Sequence, residues 1–267
     1  MSLSLTFHNG YAIRKIIDNL SETSQEGKLE ITPDLLIIKA NAMREAVYGR
    51  LIIPIKLVEH KGSCTLSGRI NLVKFSQHLG GARTKTGKVC LKVNENESNK
   101  LHVLIANSVS TTDVVLWTDY ILDIMSGEFK DVEIADYQTQ PVSKMPVVDF
   151  SRMCKAIRSS GAAKLSFSIY PVNSGVRISA LNDKDVPVYN KVVGGNRLLT
   201  SDETSDIAKV ESNKPIIVPG KVVDNWSSIT GLDTNSLFIN LDEENFLKLT
   251  FGISTYGWLV VYVGEGK

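Results

Sequence analysis

The chain has 267 residues, of which 43% are hydrophobic and 22% charged, so it can bury a full core as one large or two modest domains. The 30 Lys and Arg against 29 Asp and Glu give a net charge of +1, which excludes a protein that attracts nucleic acid over its whole surface. Three cysteines without CxxC spacing and the absence of an N-terminal signal predict a reducing compartment. The longest apolar stretch, 258–263, is too short to span a membrane, so we expect a soluble protein.

Four short segments have the spacing of amphipathic helices, with apolar residues recurring at intervals of three and four. We place the start of the fourth at Pro219, because proline is favoured in the first helical turn. Each helix is predicted to have about three turns. The apolar positions are Ile13, Ile16, Ile17 and Leu20; Leu72, Phe75 and Leu79; Phe150, Met153, Cys154 and Ile157; and Val222, Val223 and Trp226.

Most of the remaining sequence predicts half-buried antiparallel strands, because apolar and polar residues alternate at 101–105, 165–169 and 247–253. The order of helix, strand, turn and strand after the first helix recurs 136 residues later, at Lys164. This recurrence predicts an α+β fold of two topologically similar domains, each with two helices packed on antiparallel sheet. We assign residues 1–123 and 144–267 to the domains and 124–143 to a polar connector.

Basic residues accumulate on and beside the predicted helices. Residues 1–118 carry 15 Lys and Arg against 10 Asp and Glu, and the rest of the chain is net acidic. Two interpretations remain open: ordinary solvated helix surfaces, or a surface that faces phosphate groups. The cations in question are Arg14 and Lys15; Arg83, Lys85 and Lys88; and Arg152, Lys155 and Arg158.

The sequence contains no recognisable catalytic constellation. The run Gly80–Lys88 has five residues rather than four between Gly81 and Gly87, and Val89 stands where a phosphate loop needs Ser or Thr. The four histidines are scattered and lack metal-ligand spacing. We therefore predict no enzymatic activity, no cofactor and no metal, although an enzyme remains an alternative.

Several segments resemble, in order and spacing along the whole chain, the sliding clamps of the proliferating cell nuclear antigen (PCNA) type. The stretch from Asp119 to Pro146 resembles the interdomain connector of that family, and Phe150–Lys155 is similar to one of its helices. The other matching residues are Asn71, Leu72, Ser76 and Leu79 in the second helix and Gly257, Leu259 and Tyr262 in the last strand.

This resemblance implies a homotrimeric ring of six domains, with twelve helices lining a hole through which duplex DNA passes, independently of sequence. Such a processivity factor tethers DNA polymerase and other proteins that carry clamp-binding peptides, and a clamp loader places it on DNA. The expected location is the nucleus, or the cytoplasmic replication site for a viral member. A neutral chain that ends without an acidic tail is a divergent member, such as a viral clamp or one from a divergent eukaryote.

The resemblance also implies site residues, position by position. Departures from the family pattern are Gln77 and Ser228 in place of channel lysines, and altered groove residues at positions 40, 44 and 246. The positions that match the DNA channel are Arg14, Lys15, Arg152, Lys155 and Lys221, with Lys74, Arg83 and Lys85 in or beside the second helix and Arg158 on the third. The positions that match the groove for partner peptides are Ala40, Arg44, Val132, Ile134, Phe246 and Tyr262.

Ring closure needs two open sheet edges that pair head to tail. We predict one within Ser108–Trp117, including Val114 and Val115, and the other within Val186–Val193, including Val186 and Val188. Pro187 agrees with an edge position. Two alternatives share the clamp fold: a subunit of a heterotrimeric checkpoint clamp, and a viral transcription accessory protein that has lost the ring.

Overall fold

The computed structural model describes residues 2–42, 46–108, 115–132, 143–162, 164–170, 175–193, 215–220, 236–241, 246–253 and 255–264, together with Val222 and Ile229. Within these ranges no helix is both long and apolar enough to cross a membrane. The predicted residues that lie outside the described ranges are Arg44, Val114, Ile134, Lys221, Val223 and Trp226, and the side chains of Val115 and Arg158 are also outside the description.

The first three predicted helices are confirmed as α1 (Gly10–Thr23), α2 (Leu72–His78) and α3 (Val147–Ser159). Asn9 and Asn71 cap α1 and α2, because each Oδ1 accepts a backbone N–H of the first turn, at 3.1 Å and 2.8 Å. Helix α2 is shorter than predicted. Leu79 lies in a 3₁₀ turn, Leu79–Gly81, because two successive glycines disfavour a longer α-helix.

The fourth predicted helix begins after Pro219, not at it. Pro219 is the last residue of a strand, Ile216–Pro219, where it lies opposite Lys164. This strand is at the edge of its sheet, where a residue without an N–H group is tolerated. Helical backbone is present at Gly220 and Val222, and Val222 is buried as its apolar spacing predicts.

The described strands form three antiparallel sheets. The five-stranded sheet has the order β5 (Glu59–Gly62), β1 (Leu3–Phe7), β7 (Lys88–Val93), β8 (Lys100–Ser108) and β9 (Val115–Asp123). The eight-stranded sheet has the order β10 (Ser143–Met145), β15 (Leu237–Leu241), β16 (Leu247–Ile253), β17 (Gly257–Val263), β4 (Val47–Pro54), β3 (Leu35–Ala42), β2 (Glu26–Ile31) and β6 (Leu66–Asn71). The four-stranded sheet has the order β13 (Pro187–Val193), β12 (Gly175–Leu181), β11 (Lys164–Tyr170) and β14 (Ile216–Pro219).

The eight-stranded sheet joins the two halves of the chain. Strand β17 pairs with β4, and Tyr262 lies opposite Tyr48. In β16 the residues at 247, 249, 251 and 253 are all buried, which confirms the predicted alternation. The sheet is therefore one continuous surface built from both ends of the sequence.

One face of this sheet belongs to the main core. The apolar stripe of α1 and the inward-facing strand residues are buried in a single cluster. In the second half, Phe150 of α3 meets Phe251 of β16 edge to face, with ring centroids 6.1 Å apart. Burial of each such side chain stabilises the fold by about 1.5–3 kcal/mol. These layers confirm the predicted α+β class.

The predicted connector begins where regular structure stops. Strand β9 ends at Asp123, and Met125 then exchanges two backbone hydrogen bonds with Arg69, at 2.8 and 2.9 Å. The next described strand, β10, begins at Ser143. The division into domains at 123 and 144 stays a prediction.

Candidate functional site

Arg14 and Lys15 lie on the solvent side of α1, where Arg14 is engaged within the chain. Its Nε lies 3.6 Å from Asp18 Oδ2, and its Nη1 donates to the carbonyl of Gly80 at 3.3 Å. Lys15 Nζ lies over the ring of Tyr11, 5.7 Å from the centroid. Arg14 therefore links α1 to the turn after α2, with part of its charge balanced by Asp18.

The other predicted channel cations of the first half that the structure describes, Lys74, Arg83 and Lys85, are exposed. Lys74 lies on α2, and Arg83 and Lys85 lie in the loop that follows the 3₁₀ turn. This loop, residues 82–88, contains no carboxylate. The N–H of Gly10 donates to the carbonyl of Gly87 at 2.7 Å, so the loop lies beside the start of α1.

Helix α3 presents the predicted cations of the second half. Arg152 is 78% exposed, with Nη1 3.7 Å from Asp149 Oδ1, and Lys155 is also exposed. Arg158 belongs to the same helix. We define the helix surface as the solvent sides of α1, α2 and α3 together with loop 82–88.

Positive charge is unevenly distributed over the helix surface. Helix α1 carries Arg14 and Lys15 against Asp18 and Glu22, whereas α3 carries three cations against one carboxylate and loop 82–88 carries cations alone. Burial raises the pKa of Glu22, Asp18 adds to this effect and Lys15 opposes it. The positive field therefore comes mainly from α3 and the loop.

The side of the eight-stranded sheet that carries Tyr48, Arg50 and Tyr262 points away from the main core, and we call it the open face. Near one end, a second apolar cluster consists of Ala46, Tyr48, Val260 and Tyr262, all buried, with Val132 packed against them. Tyr262 is only 4% exposed. Val132 and Tyr262, predicted to share a groove, therefore come together in a site that the chain itself fills.

The structure places the other predicted groove residues differently. Phe246 lies against Gly264, just before the start of β16 and just after the end of β17. Ala40 is wrongly assigned: it is fully buried in the main core, on the opposite face of β3 from Asn41. The period-two alternation of β3 fixes this orientation, so Ala40 cannot line a groove that contains Tyr262.

Polar contacts fasten the connector to the open face. Arg50 Nη2 donates to the carbonyl of Val132 at 2.9 Å, and Asn41 Nδ2 donates to the carbonyl of Lys130 at 2.7 Å. Lys39 Nζ binds the carboxylate of Asp131 at 2.5 Å. Residues 130–132 therefore have a fixed position on β3 and β4.

Two cations flank the ring of Tyr262. The Arg50 guanidinium lies 5.5 Å and Lys248 Nζ 5.6 Å from its centroid. Sequence reasoning missed both, along with Tyr48 and Val260. Alternation assigns each residue to a face of its own strand, but only the pairing of β17 with β4, more than 200 residues apart in the sequence, brings these faces together.

Both strands predicted to close a ring lie at sheet edges. Strand β9 is at the edge of the five-stranded sheet and β13 at the edge of the four-stranded sheet. The first edge strand overlaps only the end of the predicted range, since Ser108 ends β8 and β9 runs from Val115 to Asp123. Val186 and Val188 are exposed, as are Tyr189 and Val192 farther along the same strand.

No group of three or more His, Cys, Asp or Glu side chains in the described part of the chain is arranged to hold a metal ion. The sequence matches no protein-family model and no curated protein at a significant level. The structure, in contrast, is similar over nearly its full length to solved clamps. A crystal structure of a PCNA2–PCNA3 complex from Sulfolobus tokodaii superimposes with a TM-score of 0.73 and 17% identity, covering 99% of this chain and 100% of that chain. The chain therefore has the fold of a PCNA-type clamp.

Proposed function

We propose that this protein is a sliding clamp, a ring that encloses duplex DNA and tethers DNA polymerase and other replication or repair proteins. The observation that carries the proposal is the pair of sheet edges, β9 and β13, in a chain with the clamp fold. Both edges expose apolar side chains, among them Trp117 on β9 and Val188 on β13. Unpaired edges of this kind favour association with another chain, and head-to-tail pairing closes a ring.

In this ring the helix surface faces DNA. Its cations contact phosphates without reading sequence, so binding is weak, salt-sensitive and compatible with sliding. Arg83, Lys85, Arg152 and Lys155 supply most of this attraction, because Asp18 partly balances Arg14. The ring itself catalyses nothing, and it acts by holding its partners on the template.

Partners dock, in this proposal, beside the connector. Val132 packs against the filled cluster around Tyr262, Phe246 lies against Gly264 two residues beyond Tyr262, and a short peptide with apolar anchors packs at this border. A clamp loader opens the ring and places it on DNA.

Topological binding can be tested without a loader. Linear duplex DNA is immobilised by one end, and retention of the protein is compared before and after a bulky protein blocks the free end. A ring threads onto the open end and slides off again, so blocking the end before addition should abolish retention at high salt. Blocking it after addition should trap the protein. Equal retention in both orders would mean that the protein binds the side of DNA and would overturn the proposal.

A heteromeric clamp is the second candidate. The Sulfolobus structure is titled as a complex of PCNA2 with PCNA3, two different chains. A subunit of such a ring would remain monomeric or dimeric alone and would fail to thread until its partner chain was added. The mass of the purified chain in solution separates the two candidates.

A further inference from the structure

Four cations lie directly opposite one another across the open face. Arg50 on β4 pairs with Lys39 on β3, which pairs with Lys28 on β2, which pairs with Arg69 on β6. Opposite residues in a sheet are about 5 Å apart, and like charges at that distance are destabilising. We call these four residues the cation row. Such a row persists only where carboxylates or a ligand balance it.

Carboxylates balance the row only in part. Glu30 lies 2.6 Å from Lys28 Nζ and 3.2 Å from Lys39 Nζ, and Glu26 lies 3.4 Å from Arg69 Nη1. These two are the only acids on the strands of the open face that the structure describes. The described strand residues of the open face include six cations: Lys28, Lys39, Arg50, Arg69, Lys144 and Lys248.

The connector shows how an added carboxylate binds here. Asp131 comes from outside the sheet, and one oxygen lies 2.5 Å from Lys39 Nζ and 4.0 Å from Lys28 Nζ. Asp131 therefore occupies the middle of the row, whereas Arg50 and Arg69 lie at its two ends. At these ends Arg50 Nη2 donates to the carbonyl of Val132 and Arg69 Nη2 to the carbonyl of Ser126, so the connector lies along the row. These carbonyls are neutral, and the described cations of the open face still outnumber Glu26, Glu30 and Asp131, which favours a further acidic segment beside the connector.

An apolar row runs next to the cation row and is displaced from it by two residues along each strand. Trp258 lies opposite Ile52, which lies opposite Ile37. Trp258 is 43% exposed. On its other side is Gly252, and a Cβ built there meets nothing within 4 Å, so the tryptophan ring borders an open notch. We call Trp258, Ile52 and Ile37 the apolar row.

We propose that the cation row and the apolar row together dock an acidic peptide segment of a partner protein, with aromatic or aliphatic side chains that pack on Trp258 and into the notch at Gly252. Charge complementarity selects the acidic segment, and the parallel apolar row selects its anchors. This docking surface adjoins the cluster around Tyr262, against which Ile52 packs. It goes beyond the proposed function, because it needs neither a ring nor DNA.

A nucleic acid fits these rows less well. Phosphate backbones gain nothing from an exposed apolar row, and single strands bind by stacking successive bases on aromatic rings. Ile52 and Ile37 offer no such ring.

The test uses a fluorescein-labelled peptide of about ten residues that alternates Glu-Glu with Phe or Leu, and measures fluorescence anisotropy with the full chain. We expect saturable binding that weakens as salt rises from about 50 to about 200 mM. W258A should weaken binding at least about 5-fold, which is typical of a central aromatic contact. K28Q should weaken it and reduce the salt dependence.

Matched variants exist in the other two sheets. Ile217 on β14 is 45% exposed, almost the same as Trp258, and Lys92 on β7 is an exposed strand lysine. I217A and K92Q should leave the peptide affinity unchanged. A peptide with Lys in place of Glu, and one with Ser in place of Phe and Leu, should not bind measurably.

Three results would overturn the proposal: no binding of the acidic peptide at about 1 mM, equal loss of affinity in W258A and I217A, or equal binding of the lysine peptide. Displacement of the peptide by short duplex DNA, with an affinity for DNA that falls in K28Q, would reassign the row to nucleic acid. Circular dichroism of each variant checks that it folds. The threading experiment above does not involve these residues, so failure of one proposal leaves the other testable.

Discussion

The helix surface and the open face of the eight-stranded sheet hold their cations in different ways. On the helix surface Arg152 is mostly exposed and lies 3.7 Å from Asp149. On the open face Lys39 is only 14% exposed and binds both Glu30 and Asp131. Loosely held, solvated cations act at a distance and are screened by salt, whereas fixed, partly buried cations act through geometry. The helix surface therefore suits sequence-independent contact with phosphates, and the open face suits one defined arrangement of carboxylates.

Gly257→Ala tests how much the open face depends on the pairing of β17 with β4, which joins the two halves of the chain. A Cβ at Gly257 would clash with the backbone carbonyl of Ile52 on β4. Because backbone cannot move aside as a flexible side chain can, we expect a loss of about 2 to 4 kcal/mol in the free energy of unfolding. Denaturant melts of the variant measure it.

Gly252→Ala is the matched control for this substitution. Gly252 lies in the neighbouring strand, and a Cβ there meets nothing within 4 Å. The free energy of unfolding of this variant should be unchanged or higher by up to about 1 kcal/mol, because alanine loses less backbone entropy than glycine on folding. Equal destabilisation by the two substitutions would show that the β17–β4 joint is not specially constrained.

The salt dependence of DNA binding can separate the contributions of individual cations on the helix surface. Each phosphate contact that is lost should flatten the slope of log K against log salt by about 0.9. The double variant R152A/K155A should therefore flatten it by about 1.8. R14A should flatten it by less than one contact, because Arg14 is only 28% exposed and also donates to the carbonyl of Gly80, whereas Arg152 is 78% exposed. If R14A flattened the slope as much as R152A alone, this unequal contribution of the cations would be contradicted.

Glu30→Gln tests the fixed charges of the open face. Burial raises the pKa of Glu30, but hydrogen bonds from Lys28 and Lys39 outweigh it, so the pKa is lowered from its ordinary 4.5. A lowered pKa means stability that is present above pH 4.5 and lost as the pH falls. We expect E30Q to cost about 1 kcal/mol at pH 7, and the difference from the unaltered chain should shrink below about pH 4.5.

Glu22→Gln, on the helix surface, should change the stability in the opposite direction from Glu30→Gln. Burial and Asp18 raise the pKa of Glu22 above its ordinary 4.5, so its charged form is disfavoured in the fold. Stability is then greatest at low pH and is lost as the pH rises through the raised pKa. E22Q should raise the free energy of unfolding at neutral pH by no more than about 0.5 kcal/mol, as expected for an exposed site, and should have no effect in acid; thermal melts at both pH values measure it. Destabilisation at pH 7 would show that Glu22 is favourably paired.

Local pattern predicts the elements of this fold well. The apolar stripe at Ile13, Ile16 and Ile17 identifies α1, because helical spacing leaves one face apolar whatever it packs against. Alternation likewise identifies β16. The start of the fourth helix is misplaced at Pro219, because proline suits both a first helical turn and the end of an edge strand, and only the pairing with Lys164 decides between them.

Long-range pairing explains what the sequence cannot show. The family resemblance assigns Ala40 to a groove, yet the alternation of β3 turns its side chain into the core. The row of cations on the open face cannot be predicted from the sequence, because Arg50, Lys39 and Lys28 become neighbours only through strand register. Local pattern thus predicts the helix surface better than it predicts the open face.

The solution mass of the chain and of two valine variants tests the central claim, ring formation, most directly. Val188 on β13 and Val148 on α3 are almost equally exposed, at 46% and 50%. We predict three times 29.4 kDa for the unaltered chain and for V148D, and a monomer for V188D, because a buried charge at the β13 edge opposes pairing. A monomeric unaltered chain, or a trimer that persists in V188D, would contradict the account.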